Sequence, residues 1–452
     1  MTPIEPILTG RSRIAVIGAG VSGLGAAWAL RNVHDVTLYE EQDRLGGHAN
    51  TVTVDYDGRA IDVDTGFIVF NALNYPNLTG LFDHLGIESF RTDMSFGFSL
   101  DGELEWCSNG LSGLFAQLSN AFRPSFIGML SDILRFNKAA PADLDAGALH
   151  GLSLGDYLSR EGYGERFRLN YLLPMGAAIW SSSEDGMADY PAEAFIRFFK
   201  NHRLINARRP QWQTVKGGSR TYVRRLTADL EAAGVSVATG AARVRRTPEG
   251  VMVTGRDGRT IAYDEVILAC HSDEALALLE DADADETALL SAIPYSDNVA
   301  VLHRDTSLLP RREKARAAWC YHRTADETAA AVTYDMNRLQ GIDPACPLLV
   351  TLNPAREPDP ALVFGRYSYT HPQFSTEGLA VQRGFNRIQG VRNTWFAGAW
   401  LGYGFHEDGL RAGLRAALRL GGEIPWDFVD GDITGGPWGE RPLPAPALAA
   451  AE

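Results

Sequence analysis

The chain has 452 residues, 45% of them apolar, so it is globular and too long for one small domain. Its net charge of −14 argues against non-specific nucleic-acid binding, and no nucleic-acid partner is expected. The four cysteines are far apart and form no Cys-x-x-Cys pair, which points to reduced thiols and to neither a disulfide framework nor a metal site.

Met1–Ser12 lacks an apolar signal core, and no run of about twenty apolar residues is long enough to span a membrane. A cytoplasmic location is expected. The first element is a strand at Arg13-Ile14-Ala15-Val16-Ile17, followed at once by Gly18-Ala19-Gly20-Val21-Ser22-Gly23 and an Ala-rich helix to Leu30. This is a dinucleotide-binding order. The first glycine allows the tight turn, the second lets backbone approach a pyrophosphate, and the third lets helix pack on strand. The helix N-terminus favours phosphate. A second strand, Val36–Tyr39, ends at Glu40, where an acid accepts hydrogen bonds from ribose hydroxyls. Arg44-Leu45-Gly46-Gly47-His48 and Asp62-Val63-Asp64-Thr65-Gly66 come next. A plain nicotinamide dehydrogenase has no need of that further glycine pair.

The stretch from Leu111 through Phe122, Phe126, Met129 and Leu134 to Phe136 is apolar at broadly helical spacing, as a buried helix pair, an acyl tunnel or a membrane-interface element would be. Phe195–Arg203, with Arg208 and Arg209, interleaves aromatics with cations, as a patch for anionic lipid headgroups or a helix with an apolar face and a solvated basic face would. Lys216 precedes Gly217-Gly218 and a helix that ends near Gly234. Val235–Thr239 reads as a strand, and Arg243-Val244, Val251–Thr254 and Ile261–Tyr263 as a small meander. Glu265–Cys270 reads as a buried parallel strand. Asp281–Glu286 is an acidic run, expected as a solvated loop or helix start. A last strand, Asn393–Ala397, meets Gly398, and the glycine-rich run Gly402–Gly413 starts a helix. A low-complexity tail follows.

These motifs together resemble flavoproteins of the amine oxidase superfamily, with protoporphyrinogen oxidases and phytoene desaturases. The resemblance covers nearly the whole chain and is sharpest at its two ends. It implies an α/β fold in which a Rossmann-type FAD-binding domain (1–75, 206–275 and 391–425) is interrupted by a mixed α+β substrate domain (76–205 and 276–390), with an extended tail over 426–452. It implies FAD held by Gly18, Gly20, Val21, Ser22, Gly23, Glu40, Arg44, Gly46, Gly47, His48, Thr65, Gly66, Val244, Gly398 and Phe405. The chain departs from the family at two of the motifs: His48 stands where Arg or Lys is usual, and Ala399 where Glu often holds the ribityl chain. No cysteine lies near Gly404, so the flavin is expected to be non-covalent.

Gly402–Gly413, Pro174–Ser181 and Tyr369–Pro372 are more narrowly similar to a bacterial branch that includes flavin desaturases of methyl-branched acyl chains on the route to furan fatty acids. A polyunsaturated fatty acid isomerase is a more distant relative. The resemblance implies a lipid or fatty-acyl substrate and peripheral contact with an anionic membrane. Candidate polar groups beside the flavin are His406, Glu407, His371 and Lys216; Glu407 could instead cap a helix. An amine or polyamine oxidase stays open, with Tyr403 and Trp400 as aromatic partners, as do a redox-neutral isomerase and a non-catalytic FAD-binding protein.

Overall fold

The computed structural model describes residues 7–8, 10–205, 210–324, 331–382 and 384–430. Its centre is a five-stranded parallel sheet in the order Thr394–Phe396, Glu265–Leu268, Arg13–Ile17, Asp35–Glu40, Ser236–Thr239. The middle strand is apolar without alternation, and Ile14, Ala15 and Val16 are fully buried between two layers, as an interior parallel strand must be. The first helix, Val21–Leu30, is buried along its whole length. It lies against the C-terminal helix, His406–Arg419, and glycines set the closeness: a Cβ at Gly413 would fall 2.0 Å from the Ser22 carbonyl oxygen, and one at Gly25 would strike Leu410.

The expected meander is present as an antiparallel sheet of Ala241–Thr247, Gly250–Gly255 and Thr260–Tyr263. A seven-stranded sheet forms the base of the second region. Its strands run Val363–Pro372, Tyr295–His303, Leu349–Leu352, Ala331–Asp335, Trp319–Arg323, Phe96–Leu100, Leu104–Cys107, all antiparallel but for one parallel pair. Helices between residues 110 and 201 cover it around an aromatic core that includes Trp106, Phe136, Phe167, Trp180 and Phe195. The helix Pro76–Leu85 packs with the parallel sheet, because Leu78, Leu81, Phe82 and Leu85 belong to the cluster around Ile14 and Trp28. The division at residue 75 therefore cuts through one core.

Three sequence expectations change. Phe195, Phe198 and Phe199 are core residues on the helix Ala192–Asn201, while Arg197 pairs with Glu193 and Lys200 with Asp145. That stretch is no basic-aromatic surface; Arg208 and Arg209 lie outside the described residues. The acidic run does start a helix, capped by Asp283, but Glu286 is buried against Arg246 and Arg392 rather than solvated. The tail begins later than 426, since Trp426 stacks on Trp28 at 5.6 Å; residues 431–452 are outside the described ones. Among the described residues no helix is long and apolar enough to cross a membrane. Nor is any group of three His, Cys, Asp or Glu side chains there arranged to hold a metal ion.

Candidate functional site

The glycine loop sits at the carboxyl end of the parallel sheet, where ligands bind in such folds. Each glycine has a separate reason. Gly18 has φ +100°, and a Cβ there would meet the Ala269 carbonyl oxygen at 2.7 Å. A Cβ at Gly23 would meet the Gly18 carbonyl oxygen at 1.8 Å, so only glycine lets the helix start this close to the strand. Gly20 is different, for nothing lies within 4 Å of a Cβ built on it. The open space is above the N-terminus of the first helix, beside Val21 and Ser22, where free N–H groups favour an anion.

Glu40 closes one side. Its carboxylate accepts from Ala19 N at 2.8 Å and from Gln42 N at 2.8 Å. The second glycine pair docks on this loop: Gly46 N donates to the Ala19 carbonyl at 2.8 Å, and a Cβ at Gly47 would lie 3.0 Å from Gly20 Cα. Gly66 packs on the carbonyl of His48, which a Cβ would approach to 2.1 Å. Thr65 is buried and braces the loop through Asn50 O and the Tyr369 hydroxyl. Asp64, fully buried, ties the glycine-rich turn at Ser219 to Thr51 and Gln340. Burial pushes its carboxyl up while the Thr51 and Ser219 donors pull it down.

Three polar atoms around this cleft are shut off from solvent without a partner: Arg44 Nη1, His48 Nε2 and His371 Nδ1. The His48 ring lies 5.3 Å from that of His371 and 6.3 Å from that of His271, which is hydrogen-bonded to Thr370. Burial, and then the neighbouring imidazoles, hold His48 neutral; burial takes His371 down to about 4. A native fold leaves few buried polar groups unpaired, so these atoms mark where another molecule belongs.

The C-terminal turn forms the other wall. Gly398 ends its strand in extended backbone, and the Trp400 indole, donating to Cys270 O at 3.0 Å, occupies the space a Cβ would need. Asp408 holds the turn, accepting from Tyr403 N and Phe405 N and pairing with Arg411 at 2.6 Å. His406 stacks on Phe67 with ring centroids 3.9 Å apart, and its Nε2 is 2.6 Å from the Tyr222 hydroxyl. Burial pushes His406 down to about 3. Phe405 stacks on Phe198 at 4.9 Å and approaches Trp180. Tyr222 and Phe67 were not singled out from sequence. Phe67 stands one residue after a glycine motif and Tyr222 four, and that adjacency was the only available signal.

Three expected site residues are placed elsewhere. Lys216 is exposed and pairs with Glu88 at 2.6 Å. Val244 is fully buried, and its carbonyl accepts from Glu280 N, so it offers the cleft no side chain. Glu407 turns away from its neighbour His406. It caps the helix Pro76–Leu85, accepting from Asn77 N at 3.0 Å, Asn77 Nδ2 at 2.7 Å and Leu78 N at 2.9 Å. Burial pushes its carboxyl up to about 7, against the pull of those donors and Arg411. Glu407→Ala is expected to cost about 1–3 kcal/mol in urea unfolding, because buried N–H donors lose their acceptor. Glu407→Gln should cost less. In both, FAD should stay bound with an unchanged rate of flavin reduction, and a slowed rate would return Glu407 to the chemistry.

The sequence pattern of flavin containing amine oxidoreductases matches residues 21–303, more than half of the chain. The chain belongs to that family. As a family member it is a flavin-dependent oxidoreductase, and its cofactor is FAD. Tryptophan 2-monooxygenase of Pantoea agglomerans pv. gypsophilae is 44% identical over 88 residues, which are 19% of this chain and 15% of that protein. The chain thus matches less than a fifth of the length of that relative, and 55% of the length of a carotenoid phi-ring synthase of Streptomyces griseus, at 27% identity over 60% of this chain. Cyclohexylamine oxidase from Brevibacterium oxydans IH-35A shares the fold with a TM-score of 0.66 at 18% identity, covering 91% of this chain and 98% of that one. A fatty acid isomerase from P. acnes that produces CLA does so with a TM-score of 0.63 at 17% identity, covering 91% and 99%. At these identities the likeness is one of fold. The cleft fits the cofactor of the family. The open space over Gly20 and the first helix N-terminus suit the diphosphate, Glu40 the ribose, and the orphaned atoms of Arg44, His48 and His371 further polar groups.

Proposed function

We infer that this family member oxidises a C–H bond of an unsaturated or methyl-branched long-chain acyl group, held within a phospholipid. FAD, when bound, supplies the acceptor for hydride, and the proton lost from the neighbouring carbon passes to the unpartnered Nδ1 of neutral His371 and on to solvent. The observation that carries the reading is the character of the second region where it meets the C-terminal turn. That wall is aromatic, built from Trp180, Phe198, Tyr403 and Phe405, and burial keeps its one imidazole, His202, down at about 4. The carboxylates nearest the turn are committed, Glu407 to the helix at Pro76 and Asp408 to Arg411 and the turn's own N–H groups. A cationic amine would find no counter-charge in these side chains, whereas an apolar chain would lose little by leaving water.

Of the four expected catalytic groups, this reading keeps His406 and His371. Both imidazoles are neutral at ordinary pH because burial lowers them. Neutral imidazoles orient and hydrogen-bond a partner without placing a charge beside an apolar chain.

Mixing the yellow protein anaerobically with candidate substrates tests this reading. A phospholipid bearing methyl-branched or unsaturated chains should bleach the flavin, and mass spectrometry should show a product two hydrogens lighter. Bleaching by cyclohexylamine or putrescine and by no lipid would replace the acyl reading with amine oxidation. A product of unchanged mass with a moved double bond would make the reaction an isomerisation.

A further inference from the structure

We propose that the outer face of the helical layer, from Leu111 to Leu134, is a docking surface for an anionic phospholipid bilayer. The proposal deepens the acyl-chain reading and takes its choice of lipid from it. The face is built from a short helix at Gly110–Leu114, a 3-10 turn at Leu118–Phe122 and the first half of the long helix Pro124–Asp145.

The first observation is exposure. Leu111 is 76% exposed, Leu118 79%, Phe122 87% and Leu134 72%, with Ile127 beside them at 45%. The other large apolar side chains exposed among the described residues, such as Leu73, Val237 and Val391, are scattered. Single exposed apolar residues are ordinary, but a contiguous patch marks an interaction surface. The long helix already has an inner apolar face, because Phe126, Met129, Phe136 and Ala140 are buried in the aromatic core. A helix that only folded against that core would put polar residues outward. Ile127 and Leu134, seven residues apart, instead form a second apolar stripe, and folding gives no reason for it.

The second observation is charge. The chain carries −14 overall, yet this face is rimmed by cations. Lys138 continues the stripe one turn beyond Leu134, where its stem can lie along apolar surface with the ammonium at headgroup level. Arg123 follows Phe122 directly and donates to a backbone carbonyl, that of Glu103, not to a carboxylate. Asp132, on the same helix, is occupied by Arg135 and by Gly164 N.

The third observation lies behind the face. A cavity of about 290 Å³ opens between the start of the long helix and the segment around Asn170, with Arg123 and Arg166 among its lining and Phe126 and Met129 inside. Asn170 is 1% exposed, and neither its amide oxygen nor its amide nitrogen has a partner. It stands in a π-turn, Arg168–Leu172, a backbone form often found at functional sites. A buried amide facing a cavity that offers two guanidiniums against one carboxylate, Glu103, and apolar side chains suits the ester and phosphate region of a lipid drawn from the docked surface. A flat partner protein would leave that amide unpaired.

The test uses the full FAD-loaded chain and vesicles of phosphatidylcholine with or without phosphatidylglycerol. The protein should sediment with the anionic vesicles, less with the neutral ones, and be released by salt. Leu118→Ser with Phe122→Ser should weaken partitioning by about tenfold or more, since two large apolar side chains no longer enter the interface. Val237→Ser with Val391→Ser, exposed apolar positions far from the face, should bind like the unaltered chain. Because all four side chains are exposed, the variants should keep their flavin and melting temperature. Absence of vesicle binding, or equal binding by the Leu118 and Phe122 variant, would overturn the proposal. So would a self-associated species in sedimentation velocity that this variant alone abolishes. The acyl reading is tested apart, by flavin bleaching with the lipid in detergent micelles. If bleaching survives in the variant that no longer binds vesicles, docking and substrate are separate and both stand. If vesicles bind and no acyl lipid bleaches the flavin, docking stands and the acyl reading falls.

Discussion

Gly20→Val should give a folded, soluble and colourless protein. The expectation separates two roles that glycines play in one loop. At Gly18 and Gly23 an added Cβ meets backbone, the Ala269 oxygen at 2.7 Å and the Gly18 oxygen at 1.8 Å, so substitution there damages the fold itself. At Gly20 the backbone has φ −71° and ψ −177°, an ordinary extended conformation, and no atom of the protein lies within 4 Å of the new Cβ. The apo fold therefore accepts valine. The flavin diphosphate does not, because the two methyl groups would fill the space that must admit it at the first helix N-terminus. The purified variant should lack flavin absorbance, melt like unaltered protein stripped of FAD, and show no activity. Gly23→Ala should melt lower than either. A Gly20→Val protein with a full complement of FAD would show that the diphosphate lies elsewhere.

How much of this was legible in the sequence depended on how local the signal was. The strand, glycine loop and first helix fall within about thirty residues, and the glycines permit the close approaches their residue type allows, so this part of the fold could be read from spacing. The parallel strand at Glu265–Leu268 was legible for a similar reason, its unbroken apolar run. Residues whose neighbours lie far along the chain were not. Glu407 looks like a group beside the flavin until Asn77, 330 positions away, is seen to hold it. Lys216 looks like an active-site lysine until Glu88 appears at its side. Phe195, Phe198 and Phe199 have the spacing of an amphipathic helix, and that spacing is the same whether the apolar face meets lipid or a core. Only the packing of Trp180 and Phe405 against them decides it. Leu118 and Phe122 show the converse, since no sequence period distinguishes an exposed apolar ridge from a buried one.

His406→Ala should slow flavin reduction by about 10²–10³-fold while FAD stays bound, the loss typical of removing one preorganised hydrogen-bond donor. The donor role follows from the surroundings of the ring. Burial pushes the Tyr222 phenol up, so it stays protonated and is able to donate to His406 Nε2, 2.6 Å away, which is the arrangement this expectation takes. The imidazole proton then sits on Nδ1. Stacking on Phe67 fixes the ring plane, and burial holds the group down at about 3, so it remains a neutral donor at any working pH. A general base needs a pKa near the working pH, and His406 lies far below it. The two roles give different outcomes. If His406 donates, His406→Gln should recover much of the lost rate, because an amide N–H can replace the imidazole N–H, and Tyr222→Phe should slow the reaction by freeing the tautomer. The pH profile of flavin reduction should then show no limb between about pH 5 and 7 from this residue, since its protonation begins only near 3. If His406 instead takes a proton, glutamine rescues nothing and His406→Ala removes a limb from the profile. Unchanged reduction rates in His406→Ala and Tyr222→Phe would take the pair out of the mechanism and leave His371, with its unpartnered Nδ1, as the imidazole on the cleft to test next.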